Sequence, residues 1–203
     1  MNVVKVYFLN MRQVKGREEY LYSVLPSSRV ERAKRYAKET DRLLSLAAGY
    51  LINRVIGGVF VDEFGKPRSE NAFFSLSHSG ELAALAVSES REVGIDIEKM
   101  RGDKDYDALA KFALNDIELE SYKSGEHFLK LFTAKESLSK AEGRGLRNDV
   151  KTIPALPIDG AVDYENKTYY RHSLNVDGYF ASVTQEGEDF IIETIDIEVE
   201  NVT

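Results

Sequence analysis

From residue 3 the chain alternates loosely between β-branched or aromatic and other side chains (V-V-K-V-Y-F-L), which predicts a strand over 3–9. The period then changes. In the stretch S-S-R-V-E-R-A-K-R-Y-A-K-E-T-D-R-L-L-S-L-A-A-G-Y-L-I-N-R-V-I-G, Leu43, Leu46, Ala47, Tyr50 and Leu51 fall at helical spacing. That spacing predicts a helix near 28–37, capped by Ser27 or Ser28, and a longer one near 40–56 that stops at Gly57 and Gly58. V-D-E-F-G-K-P-R reads as a turn in which Pro67 holds Lys66 extended. Strands follow at 72–77 and 82–88 around H-S-G-E, and V-G-I-D-I-E makes a third after S-E-S-R-E. Residues 105–141 are mainly helical, with Asn115 or Asp116 capping a short middle helix and Gly143 closing the last. After Pro154 and Pro157 the pattern returns to strands: K-T-Y-Y-R-H-S-L, G-Y-F-A-S-V-T-Q-E and D-F-I-I-E-T-I-D-I-E.

The tetrapeptide I-D-I-E occurs at 95–98 and again at 195–198, each time after a strand of similar character. Four residues carry little weight alone, but the shared order points to two related α+β halves, 1–100 and 101–203. At 203 residues with 43% hydrophobic and 30% charged side chains, the chain has the composition of a soluble globular protein. No apolar run approaches the length of a membrane helix, and the first residues read as a strand, not a signal peptide. The absence of Cys removes disulfides, zinc-thiolate sites and thiol catalysis together, and a cytoplasmic location fits.

Charge is unevenly spread. Residues 1–68 carry 13 Lys and Arg against 7 Asp and Glu, the remainder carry 14 against 27, and no Lys or Arg follows Arg171. A local basic region suits a small phosphorylated ligand or an acidic protein partner. Overall acidity and the lack of a long basic stripe argue against nucleic acid.

On a strand through 93–98, Asp96 and Glu98 share one face, with Ile95 and Ile97 on the other. Two like charges side by side resist joint ionisation. A solvated strand end would explain them; so would a cation held between them. Oxygen ligands without Cys favour Mg²⁺, with Mn²⁺ as the alternative, and magnesium takes further ligands from a substrate phosphate. Ser77 and His78 at the end of the neighbouring strand suit phosphate contact, or a capped turn. They cannot form a nucleophile–base pair there, because adjacent strand residues face opposite ways. Lys66 is a third cationic group within reach, or a surface lysine. In F-L-K-L-F-T-A-K-E-S-L-S-K-A-E-G-R-G-L, Glu136 and Lys140 lie four apart on one helix face. They read either as an exposed pair contributing about 0.3–0.5 kcal/mol or as a third metal ligand beside a phosphate-binding lysine.

Taken in order, G-K-P (65–67), F-S-L-S-H-S-G (74–80), G-I-D-I-E (94–98) and F-T-A-K-E-S-L-S-K-A-E-G-R-G-L (132–146) resemble the Sfp-type 4′-phosphopantetheinyl transferases. The resemblance implies that family's fold, an α+β chain of two similar α/β subdomains related by a pseudo-twofold axis. It also implies a Mg²⁺-dependent transfer of the phosphopantetheine arm from coenzyme A to a serine of an acyl or peptidyl carrier protein. In such an enzyme Asp96, Glu98 and Glu136 match the metal ligands, and Glu136 also matches the group that deprotonates the carrier serine. Lys140 matches the lysine that meets the pyrophosphate, Ser77 and His78 match phosphate contacts, and Lys66 and Pro67 match the turn beside the adenine. In the basic helix Lys34 and Arg35 are the expected 3′-phosphate partners.

Two positions depart from the family pattern. Leu44 stands where the family often has Arg, with Arg42 nearby, and Phe132 replaces a common Trp. Two other readings stay open at this point: a non-catalytic module that binds coenzyme A or a carrier protein, and a Mg²⁺-dependent phosphohydrolase. A duplicated chain can complete its site as a monomer, and an acidic carrier is expected to dock on basic or apolar surface away from the acidic C-terminal third.

Overall fold

The computed structural model describes residues 2–63, 65–143, 145 and 150–200. The chain runs β1 (Val3–Asn10), α1 (Glu18–Val24), α2 (Ser27–Lys34), α3 (Glu39–Val55) and a short hairpin, β2 (Phe60–Val61) with β3 (Pro67–Arg68). It continues through β4 (Phe73–Ser79), β5 (Leu82–Ser88), β6 (Val93–Lys99), α4 (Tyr106–Ala113), α5 (Asp116–Ser121) and α6 (Gly125–Glu142). Last come β7 (Gly160–Tyr164), β8 (Lys167–Val176), β9 (Tyr179–Glu186) and β10 (Ile191–Asp196). The result is an α+β fold with two four-stranded sheets, ordered β10-β1-β5-β4 and β6-β9-β8-β7.

One order of elements occurs twice: strand, helices, antiparallel hairpin. The first pass is β1, α1–α3, β4–β5, and the second is β6, α4–α6, β8–β9. β6 pairs antiparallel with β9, and β10 returns to lie parallel on β1, with Ile195 and Asp196 opposite Tyr7 and Phe8. By chain order, 1–100 and 101–203 stay our proposed halves. By hydrogen bonding each lends its last strand to the other's sheet, so we expect neither to fold alone.

The apolar pattern explains the packing. On β5 every second residue faces a different core: Ala83 and Leu85 meet the helices α1–α3, while Leu82, Ala84 and Ala86 meet the second sheet. That second core takes Val93, Ile95 and Ile97 from β6 and Ala181 and Val183 from β9. Alternation on β6 therefore fixes Asp96 and Glu98 on the opposite side, towards α6.

Two contacts seat β6. Ser75, Ser77 and Ser79 alternate along β4, and their hydroxyls accept the backbone N–H groups of Ile95, Ile97 and Lys99 at 3.1, 3.4 and 3.1 Å. Side-chain hydroxyls thus do between the sheets what carbonyls do within one. On the other side α6 crosses directly over Gly94. A Cβ there would lie 1.9 Å from the Ser137 carbonyl oxygen and 2.5 Å from the Ala141 nitrogen, so the helix backbone occupies the space any side chain would need.

Further along α6, buried Lys135 forms an ion pair with Glu118 at 2.7 Å and donates to the Ile153 carbonyl at 2.6 Å. Glu118 also completes the capping box at Asn115 and accepts from the Ala155 N–H. Both charges are fully hydrogen-bonded, which is what a buried pair requires.

Sequence expectations differ from these elements at three points. Ser27 and Ser28 are not the cap of α2; Pro26 holds that place without a side-chain cap, and the serines form the first turn. α1 and β7 were not expected, because each buries a single residue, Leu21 and Val162, and so leaves almost no periodic signal. Arg144 and Leu146, at the end of the 132–146 motif, lie outside the described residues.

Replacing Gly94 by Ala should destabilise the protein by about 3 kcal/mol or more, at or beyond the upper end of overpacking costs, because the obstacle is backbone. Urea unfolding checks this; a midpoint equal to that of the wild type contradicts the close crossing.

Candidate active site

The close crossing at Gly94 brings α6 over the acidic face of β6. Lys140 donates from Nζ to Asp96 Oδ1 at 2.7 Å and to the Ile95 carbonyl at 3.0 Å. The serine hydroxyls that accept from β6 amides also donate to its acids, Ser77 to Asp96 Oδ1 and Ser79 to Glu98, each at 2.8 Å. Asp96 is buried, and its Oδ2 has no hydrogen-bond partner. Such an oxygen is costly unless something else satisfies it.

Electrostatics identify the acids as one cluster. Burial, then repulsion from Asp96 and Glu98, raises the Glu136 carboxyl to about 7, with Lys140 opposing the rise. Glu98 is raised as well, mainly by burial and then by Asp96, against the stabilising hydroxyl of Ser79. All donors are oxygens, which suits a hard divalent cation, and the orphaned Asp96 oxygen fits a missing positive partner. Among the described residues, however, no three His, Cys, Asp or Glu side chains are drawn into a ready-made ligand group.

Beside the cluster opens a cavity of about 450 Å³ between α2, α3, the β2–β3 hairpin, β4 and the end of α6. Arg29 and Arg32 line it, as do Lys66, Pro67, His78 and Lys140. Its floor is apolar, with Leu44, Ala48, Phe74 and Leu76. Burial lowers the Arg29 pKa, followed by the neighbouring Arg32 charge. Gly49 makes room for Arg29, since a Cβ there would meet its Cγ at 2.7 Å. His78 has its pKa lowered by desolvation in the cleft wall, then by Lys140. It also lines a second cavity of about 680 Å³, where Glu98 and Lys99 meet Leu109, Phe112 and Phe132. Asp41, Leu44 and His78 are common to both walls, so the two cavities are adjacent.

Several expected site residues come together, and several do not. Asp96, Glu98, Glu136 and Lys140 converge, with His78, Lys66 and Pro67 on the neighbouring cavity wall. Lys34 does not reach the cavity; its Nζ lies 4.6 Å from the centre of the Tyr22 ring, and Arg35 is absent from the lining too. The inward cations are Arg29 and Arg32, one helical turn earlier. Val30 and Ala33 are the buried face of α2; at about 100° per residue Arg29 and Lys34 lie on opposite sides of that face, and Arg32 follows Arg29. Ser77 does not line the cavity, and its hydroxyl is committed to Asp96 and Ile97. Lys66 Nζ is likewise engaged, with Glu92 and the Lys140 carbonyl, each at 2.8 Å. Arg42 is not in the lining and so does not stand in for the charge absent at Leu44. Ser79 was missed by sequence reasoning, although its two-residue spacing from Ser77 marks the same face.

The fold and site define an enzyme that works on an anionic ligand beside a carboxylate cluster. Residues 92–192 match the 4′-phosphopantetheinyl transferase superfamily. The chain is 29% identical over 182 residues to the 4′-phosphopantetheinyl transferase ffp of Bacillus subtilis, covering 80% of this chain and 81% of that one. It is 27% identical over 213 residues to the 4′-phosphopantetheinyl transferase Sfp of Bacillus subtilis strain 168, covering 92% and 94%. With the 4′-phosphopantetheinyl transferase AcpT of Salmonella typhimurium it shares 36% identity over 124 residues, covering 57% and 62%. The chain belongs to the 4′-phosphopantetheinyl transferase superfamily and is a transferase.

The raised Glu136 pKa has a consequence for stability. The group titrates near 4.5 when unfolded and at about 7 when folded, so between those values the folded state binds more protons. Stability of the metal-free protein should therefore fall as pH rises from about 4.5 to about 7 and level off above. Urea unfolding across that range in EDTA should give a shallower slope for Glu136→Gln; an unchanged slope contradicts the assignment.

Proposed function

We propose that the chain transfers the 4′-phosphopantetheine arm of coenzyme A to a serine of an acyl or peptidyl carrier protein, releasing 3′,5′-ADP, with Mg²⁺ as the metal. The observation that carries this reading is the placement of Glu136 and Lys140 over Asp96 and Glu98, beside a cavity lined by Arg29 and Arg32.

The cavity suits the nucleotide end of coenzyme A. Arg29 and Arg32, which form no ion pair among the described residues, would take its 3′-phosphate. Gly65 and Pro67, either side of Lys66, would border the adenine, and His78 would sit between the phosphates and the second cavity. Glu136 would remove the proton of the carrier serine, directly or through water. The serine oxygen then bonds to the phosphorus that bears the pantetheine arm. The bond from that phosphorus to the bridging oxygen breaks, and the oxygen leaves with 3′,5′-ADP. Lys140 offsets the developing charge. Asp96, Glu98 and Glu136 would hold Mg²⁺, which would supply positive charge for the pyrophosphate.

The second cavity is the proposed carrier dock. Phe112 is 74% exposed beside Leu109, and Lys99, Arg101 and Lys104 stand around the same cavity. An acidic carrier would bury the first pair and face the lysines and arginine. No helix among the described residues is long and apolar enough to cross a membrane. We read the chain as a cytoplasmic monomer with neither nucleic acid nor membrane as partner.

The direct test is the intact mass of an apo carrier after incubation with the protein, coenzyme A and Mg²⁺. A gain of one phosphopantetheine, abolished by EDTA and by Asp96→Ala, is expected. Coenzyme A that binds without turnover would instead identify a binding module, and nucleotide release without carrier a hydrolase. Replacing Phe112 by Asp should raise the carrier KM about tenfold, equal to losing about 1.4 kcal/mol of contact, and leave the coenzyme A KM unchanged. An unchanged carrier KM places the dock elsewhere.

A further inference from the structure

The Lys66 side chain lies at a junction of three elements. Its own turn belongs to the β2–β3 hairpin, closed by Asp62 N–H donating to the Lys66 carbonyl at 3.0 Å and Lys66 N–H donating to Asp62 Oδ1 at 2.9 Å. From there the side chain, only 12% exposed, runs along the cavity wall towards α6. Its Nζ donates to Glu92 Oε2, next to the start of β6, and to the backbone carbonyl of Lys140 in the last turn of α6. Arg68 on the same hairpin reinforces the join by pairing with both Glu92 and Asp62.

A cation beside the carbonyls of a helix's last turn is favourable, because the helix dipole is negative there. Lys140 is consequently held twice, its main chain by Lys66 and its side chain by Asp96. α6 ends one turn beyond at Gly143, in the left-handed conformation, with the Lys66 and Arg68 side chains packed against it.

We propose that Lys66 is a positioning residue that, with Glu92, couples occupancy of the nucleotide cavity to the end of the helix bearing Glu136 and Lys140. This rests on the transfer reading above, yet assigns Lys66 a different part from a direct ligand. A nucleotide against Gly65 and Pro67 fixes the hairpin, and the Lys66 side chain passes that order to the α6 terminus. Glu92 holds the ammonium in place but does not itself line the cavity.

That difference makes the test. In the full chain, with carrier and Mg²⁺, Lys66→Met and Glu92→Gln should each lower kcat about tenfold, the scale of a small misplacement at a reacting group. The coenzyme A KM should stay within about twofold of wild type, and Lys66→Arg should recover most of the loss. Amide hydrogen exchange gives a readout independent of turnover. Coenzyme A should slow exchange in the last turn of α6 in the wild type, and much less in Lys66→Met or Glu92→Gln. If Lys66→Met fails to fold, Glu92→Gln decides alone. A raised coenzyme A KM for Lys66→Met with kcat intact, together with a wild-type Glu92→Gln and unaltered exchange, overturns the proposal in favour of direct contact. If the wild-type chain modifies no carrier, the transfer reading fails separately, and the exchange experiment still judges the coupling.

Discussion

The position of β6 is the constraint on which the rest depends. It lies between three hydroxyls of β4 and the bare backbone of α6, and neither contact leaves room for adjustment. The serines must alternate to meet alternate amides, and residue 94 must lack a side chain for the helix to cross. Given both, the alternation of Ile and acid along β6 does the rest: isoleucines go to the core between the sheets and carboxylates go under α6. The site is then a product of packing, with its charged groups placed by contacts that are themselves largely uncharged.

That placement concentrates like charge where water is scarce. Burial and the neighbouring Asp96 raise the cost of ionising Glu98 and Glu136, and Lys140 together with the Ser79 hydroxyl offsets only part of it. An unsatisfied buried oxygen on Asp96 and a glutamate titrating near neutrality are two expressions of the same deficit of positive charge. Both suit a centre that acquires a cation with its substrate and must move a proton at physiological pH. The buried Lys135–Glu118 pair on the same helix is the opposite case. Every charge there is met within the protein, and its effect is to tie α6 to the segment at 150–155.

Much of this was legible in the sequence, and the failures have physical causes. The runs flanking H-S-G-E gave β4 and β5, alternation placed the acids of β6 on one face, and helical spacing gave α3 and the apolar stripe of α6. α1 and β7 bury one residue each, too little to leave a pattern. Lys34 and Arg35 were the expected cations, whereas Arg29 and Arg32 line the cavity; the phase set by Val30 and Ala33 leaves Arg29 and Lys34 symmetric about the buried face, and only the packing of α2 on α3 separates them. Hydroxyls on β4 were read as facing a ligand because composition names hydrogen-bonding groups without naming their partners. Which amide or carboxylate takes a serine depends on how two sheets meet, and that is set by contacts distant in the chain. The partners of the Lys66 ammonium were out of reach for the same reason, since they lie 26 and 74 residues further on.

The most direct test of the account measures carrier modification by Gly94→Ala at a temperature where circular dichroism finds the variant folded, with coenzyme A binding measured in parallel. The proposed nucleotide cavity takes Arg29 and Arg32 from α2, whereas Glu136 and Lys140 depend on the α6 crossing. The account therefore predicts near-normal coenzyme A binding and turnover reduced about a hundredfold. A folded variant that modifies the carrier at the wild-type rate would contradict it.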